Sequence, residues 1–285
     1  MKVINSVRAG IVRSVKAWKG MVIVWFITLI IVSLVALPMK GALNAGLGDS
    51  MITEKLAHGI NVEVFADLGA NLSSLTSYFL SGLLMIVLIS FITNSFLAGG
   101  LFNSLREFAG TFSTRKFFLN SAKYFWSFIL ISLILDLLIL LAAFLIIIIP
   151  VSIVAQSEAS SEGALFKTFI IAASVFLIVL IWLLVVADYA RAWQVNQKRN
   201  ACLKALGFGF RKTIRTFLSS YTLMLILIFA QLLFGSLVLY VLSGIKPAAG
   251  TGIILLFLLS QVFFFIKVLL KAWRYGSMTR MMEMN

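Results

Sequence analysis

The residues able to do chemistry are few. The 285-residue chain carries 10 Asp and Glu, one His and one Cys. One histidine excludes two-His haem ligation within the chain and any Ser-His-Asp set inside a bilayer, and it leaves no typical zinc site. His58 is left as a single-ligand pigment or haem position. Cys202 has no partner for an internal disulfide, and its lone thiol is a small filler residue or an acylation site. No glycine-rich phosphate loop follows a strand. No cofactor, metal or catalytic residue is therefore expected.

One carboxylate stands out. Asp136 is the sole charge in ISLILDLLILLAAFLIIIIP, Ile131 to Pro150. An ionisable residue in such a run is a proton carrier, an ion site or a substrate contact, or else a hydrogen-bonded link between helices. Counted from Trp126 as an interfacial anchor, Asp136 falls roughly 15 Å into the membrane, near the midplane. Gln231, counted from Tyr221, falls at a similar depth and is the expected partner. Transport sites use several polar groups and broken helices, and the third apolar run has no internal Gly or Pro. An Asp136–Gln231 hydrogen bond is the expectation. A second constellation is ADYARAWQ. Its Asp188 and Arg191 are three apart on one helical face and are expected to pair at the cytoplasmic boundary, as a neutralised span end or a docking point.

These groups must be positioned by membrane-spanning helices. The chain is 61% hydrophobic and 12% charged, against about 25% charged in a soluble domain. Apolar runs of about 20 residues recur at Met21–Leu37, Leu75–Leu97, Phe125–Ile149, Phe166–Val186, Leu218–Leu242 and Gly252–Leu270. The expected fold is all-α: a six-helix polytopic membrane protein in one membrane domain. All 24 Lys and Arg except Lys40, Lys55, Lys167 and Lys246 fall on one set of alternate segments. The positive-inside rule then places both termini in the cytoplasm. The net charge of +14 thus marks span ends that meet anionic headgroups, and no soluble basic domain exists to bind nucleic acid.

Three basic segments precede the odd-numbered spans: VRAGIVRSVKAWKG, FAGTFSTRKFFLNSAKYFW and LKALGFGFRKTIRTFLSSY. Aligning Gly10, Gly110 and Gly207 suggests a threefold repeat over 1–100, 101–200 and 201–285, each an amphipathic interfacial helix followed by a transmembrane hairpin. In the first segment Ile4, Val7, Ile11, Val15 and Trp18 form an apolar stripe. Such helices lie in the headgroup plane, apolar face down. Arg8, Arg13, Lys16, Lys19, Arg115, Lys116, Arg211, Lys212 and Arg215 then form a platform for lipid headgroups or a partner. Gly99-Gly100 is a candidate break or kink, and the fourth span, with no Gly or Pro between Asp188 and Leu206, is expected to run on as a cytoplasmic helix. Leu56 to Leu75 is a candidate surface helix on the outer side.

The ADYARAW stretch with NACLKALGFGF, and the closing QVFFFIKVLLKAWRYGSMTRMME, resemble uncharacterised bacterial six-span inner-membrane proteins. The resemblance implies a multi-pass protein of the bacterial inner membrane and transfers no functional residue. Taken together, the expectation is a non-catalytic accessory or scaffold subunit that binds lipids and other membrane proteins. The alternative is a small transporter or permease component using Asp136.

Overall fold

A computed structural model describes residues 2–47, 69–106, 112–157, 161–197, 200–245 and 250–284. The described elements are helices: α1 Lys2–Lys16, α2 Trp18–Leu47, α3 Gly69–Arg106, α4 Thr114–Ala155, α5 Glu162–Gln197, α6 Cys202–Arg215, α7 Phe217–Ser243 and α8 Gly250–Glu283. Six of them, α2, α3, α4, α5, α7 and α8, are long and apolar enough to cross a membrane. Helices satisfy every backbone polar group internally, which lipid demands. The chain is an all-α, multi-pass membrane protein. His58 and most of the candidate surface helix, up to Leu68, lie outside the described residues.

Two compact units divide the chain. The smaller, Val24–Asn94, holds apolar lengths of α2 and α3. Thr28 and Ser81 donate their hydroxyls to the carbonyls of Val24 and Ser77, 2.8 and 2.9 Å away. Each bond stays within its own helix, so neither hydroxyl is left bare towards lipid.

The larger unit joins Met1–Ile23 to Ser95–Asn285. Its buried residues gather at the basic ends of the helices. Leu101, Phe102, Leu105, Phe117, Phe128, Val185, Val186, Tyr189, Met278 and Met281 are each at most 1% exposed. The opposite, apolar halves are open, with Phe229, Leu239 and Ile253 between 61% and 70% exposed.

Small residues make the closest crossings in this core. On α1, Ser6, Gly10 and Ser14 form the buried face, and on α6 the equivalent face is Ala205, Gly209 and Thr213. A Cβ at Gly10 would stand 2.8 Å from the Ser277 backbone nitrogen on α8, and one at Gly209 2.7 Å from the Val186 carbonyl oxygen on α5. Close backbone approach is how helices associate where lipid is as apolar as leucine. Each amphipathic helix then breaks for one residue, Ala17 or Thr216, before its span begins at Trp18 or Phe217.

Among the described residues this pattern of amphipathic helix, one-residue break and span occurs twice, aligned on Gly10 and Gly209. Gly207, the expected counterpart of Gly10, has no neighbouring atom within 4 Å of an added Cβ. The middle segment differs. Arg115 and Lys116 belong to the first turn of α4, which runs straight into its span, and Gly110 lies outside the described residues. The face that packs also differs from the expected one. Ile4 and Val15 of the apolar stripe are 71% and 55% exposed, so the stripe is left for the bilayer boundary while the small residues dock on protein.

Three other expectations are corrected. Gly99 and Gly100 do not break α3, which runs on as helix to Arg106. They let it approach α4, where a Cβ at Gly100 would meet the Phe117 carbonyl oxygen at 2.8 Å. The fourth span does run on past Asp188 but only to Gln197, and a separate helix starts at Cys202. Finally, α4 is not regular throughout. It widens into a π turn at Phe144–Ile148, just before Pro150, whose ring and missing N–H disturb the i to i−4 ladder.

Candidate charged site at the basic end of the bundle

The inner half of α5 is the hub of the core, since Val185 to Ala190, Ala192, Gln194 and Val195 are buried. Polar side chains tie it to its neighbours. Gln194 Nε2 donates to Ser127 Oγ on α4, and Arg191 Nη2 donates to Ser132 Oγ at 2.8 Å. Just past α5, Asn200 Nδ2 donates to the Lys123 carbonyl at 2.7 Å. Tyr189 and Ser220 of α7 share a hydrogen bond of 2.6 Å. Arg106 at the end of α3 donates to the Val195 carbonyl at 2.9 Å.

Asp188 lies at the centre and is 0% exposed. Arg191, one turn away, is 3.8 Å from Oδ1. The nearer partner is Arg274 of α8, whose Nε is 3.0 Å from Oδ2. The expected pair therefore exists within a larger cluster. Arg274 also lies over the ring of Tyr275, 5.3 Å from its centroid, and Lys271 over the same ring at 5.7 Å. Tyr275 in turn stacks on Phe102 at 4.3 Å. Cation–π contact adds to the hold on both cations. Neither oxygen of Asp188, nor Nε of Arg274, has hydrogen-bond geometry to another group, and Gln194 Oε1 is likewise unmatched. Proximity of charge, rather than aligned hydrogen bonds, holds the Asp188–Arg274 pair.

These links set the depth of Asp136. Helices α4 and α5 run antiparallel, and the Lys123–Asn200 and Ser132–Arg191 contacts share one register. Continuing it four residues places Asp136 level with Ala187 and Asp188. Asp136 is exposed on α4 and within electrostatic reach of Arg191. Gln231 lies eleven residues beyond Ser220 on α7, roughly 16 Å further along the bundle, while Ser220 bonds Tyr189, beside Asp188. The expected Asp136–Gln231 hydrogen bond is absent. Helix α4 begins at Thr114, twelve residues ahead of Trp126. From Leu137 to Val154 the helix rises about 27 Å, enough for the hydrocarbon core by itself.

The expected basic platform separates into several roles. Arg8, Lys16, Lys19, Arg115, Lys116, Arg211 and Arg215 are exposed, as headgroup contacts require. Arg13 is buried and grips Glu283 with two hydrogen bonds, 3.1 and 2.6 Å, fixing the end of α8 to α1. Trp273 adds a bond from Nε1 to the Val7 carbonyl at 3.0 Å. Lys212 is half-buried. Burial, with Arg215 and Lys2 nearby, holds its ammonium below the ordinary lysine value. Burial pushes the Cys202 thiol upwards, the opposite of an activated thiolate.

Arg274, Lys271 and Tyr275 were absent from the sequence-based expectations. Their signal was KAWRYG, a second basic-aromatic cluster at a span end, matching ADYARAWQ in kind. Among the described residues no three His, Cys, Asp or Glu side chains gather as a metal site. The arrangement can neutralise, hold and orient a charged group. No family model, curated protein or solved structure matches the chain.

Proposed function

We propose that this protein is a non-catalytic component of a bacterial inner-membrane assembly, with both termini and the packed basic end in the cytoplasm. The orientation is supported by the distribution of Lys and Arg over alternate segments. The assembly role is supported above all by the bare apolar lengths of the spans. The most apolar window of each span is between 0% and 22% buried. A transporter lines its pathway near the midplane with packed, discontinuous spans. Here the ion pairs among the described residues lie at one end, and the apolar halves offer their flanks to lipid and to helices of other proteins. The basic exposed residues favour anionic headgroups.

A photo-activated benzophenone side chain placed at Leu137, Phe229 or Phe257 in native membranes tests this reading. We expect discrete protein adducts from these exposed positions, with none from buried Phe128. Adducts to lipid alone at all three positions would sink the assembly role. The alternative, a small permease component, rests on exposed Asp136 beside Arg191. It would replace the assembly reading if the adducts are lipid only and a folded Asp136→Asn variant loses ion-coupled uptake.

A further inference from the structure

We propose that Asp136 and the exposed face of α4 below it dock a transmembrane helix of another protein, through a lysine or arginine near the cytoplasmic end of that helix. This docking presupposes the assembly role and specifies the partner for one face of one span. The first support is the carboxylate. Among the described residues, Asp188 has Arg274 at 3.0 Å and Glu283 has Arg13 at 2.6 Å, whereas no ion pair or hydrogen bond reaches Asp136. Arg191 is within electrostatic reach, but it donates to Ser132 and stands 3.8 Å from Asp188. Asp136 is exposed on a length of helix rich in leucine. An ionisable side chain in such a place pairs with another charge, and the bond is strong where water is scarce.

The second support is the face. Leu133, Leu137, Leu140 and Phe144 recur at steps of three and four, which puts them on one side of α4 with Asp136. All four are exposed, while Phe128, Ile131 and Leu135 on the other side are buried. The exposed face covers about 16 Å, some three turns of helix. Leucines alone do not select protein over lipid, because lipid tails are as apolar. The carboxylate supplies the selection.

The third support is the sign of the surroundings. Anionic headgroups that suit the exposed cations of this end repel a carboxylate at the same boundary. Asp136 therefore calls for a cation, and its level limits the source. Lys267 of this chain is exposed on α8, but it precedes Arg274 by seven residues. That is about 10 Å further into the apolar length than the Asp188–Arg274 level, which Asp136 shares. A second copy would not bring Lys267 to the right depth. A helix of a different protein, with its cation at the span end, would meet Asp136 directly and lay its apolar length on the leucines.

The test places the benzophenone side chain at Leu140, one turn beyond Asp136 on the same face, and at Phe229 on α7, in native membranes. Adducts are mapped by peptide mass spectrometry. From Leu140 we expect a discrete adduct to a transmembrane helix of another protein, within about two turns of a lysine or arginine. Asp136→Asn should lower its yield about tenfold, Asp136→Glu should retain most of it, and Asp136→Lys should abolish it. Replacing the mapped cation of the other protein by Asp should restore the adduct to the Asp136→Lys variant. Adducts from Phe229 should be unchanged throughout. Helicity and thermal midpoint are measured for each purified variant, and exposed position 136 is expected to tolerate all three changes.

Adducts from Leu140 to lipid alone, to a helix without a cation in that range, or to a second copy of this chain would overturn the proposal. So would a folded Asp136→Asn variant with the wild-type yield. Protein adducts from Phe229 would still support the assembly role in each of these cases, so the two readings fail separately.

Discussion

Asp188→Asn is expected to destabilise the folded bundle by about 3–5 kcal/mol, the usual cost of removing one partner from a buried ion pair. Asp188 is fully buried, 3.0 Å from Arg274 and 3.8 Å from Arg191. An amide leaves both guanidinium groups without this buried counter-charge. The loss follows from the stranded cations, so removing a cation as well should recover much of it. Asp188→Leu combined with Arg274→Met replaces the pair by apolar volume and is expected to be markedly more stable than Asp188→Asn. Unfolding in mixed micelles of increasing denaturing detergent, followed by helicity, measures both. Asp136→Asn is the control. Its carboxylate is exposed, so the change should stay within about 1 kcal/mol, as exposed ion pairs do. An Asp188→Asn cost as small as that of Asp136→Asn would remove Asp188 from the centre of the fold.

The second large effect is steric. Gly10→Val and Gly209→Val each force a branched side chain into a backbone crossing, where even a Cβ would stand 2.8 Å from Ser277 N or 2.7 Å from the Val186 carbonyl oxygen. Overpacking of this kind costs about 1–3 kcal/mol or more. Because backbone is what obstructs, neither site can yield by a rotamer change. The expected outcome is that α1 leaves α8 in the first variant and α6 leaves α5 in the second. Hydrogen exchange would then rise in α1 or α6 while the spans stay protected. Gly207→Ala provides the contrast, since an added Cβ there meets nothing within 4 Å. Alanine should be neutral or stabilise the helix by up to about 1 kcal/mol. Equal effects at Gly207 and Gly209 would contradict the register of the docked helix.

The six spans were legible in the sequence because bilayer thickness imposes a length on apolar runs. The Asp188–Arg191 pair was legible because helical spacing brings residues three apart together. Its main partner, Arg274, comes from a helix distant in sequence, and local spacing carries no such information. The packing face of α1 was misread for a physical reason. Apolar periodicity marks the face that avoids water, but a helix at a membrane boundary can give that face to lipid. Protein contact then falls to the small residues Ser6, Gly10 and Ser14. Whether Asp136 pairs with Gln231 was not legible because α4 carries Phe117, Phe118 and Leu119 ahead of Trp126, so depth counted from one aromatic residue does not give the register between helices. Phe117 is buried in the protein core rather than in lipid. Composition does not separate the two solvents.

Asp136, Asp188 and Arg274 share one charged level at the basic end, with Gln231 about 16 Å further along the bundle than Ser220. Nitroxide labels measure this most directly. Positions 136, 220 and 231 are labelled in turn in a Cys202→Ser background, in lipid nanodiscs. Power saturation then compares access to a water-soluble nickel chelate with access to oxygen. Interface-like values are expected at 136, close to those at 220, and midplane values at 231. Midplane values at both 136 and 231 would contradict it.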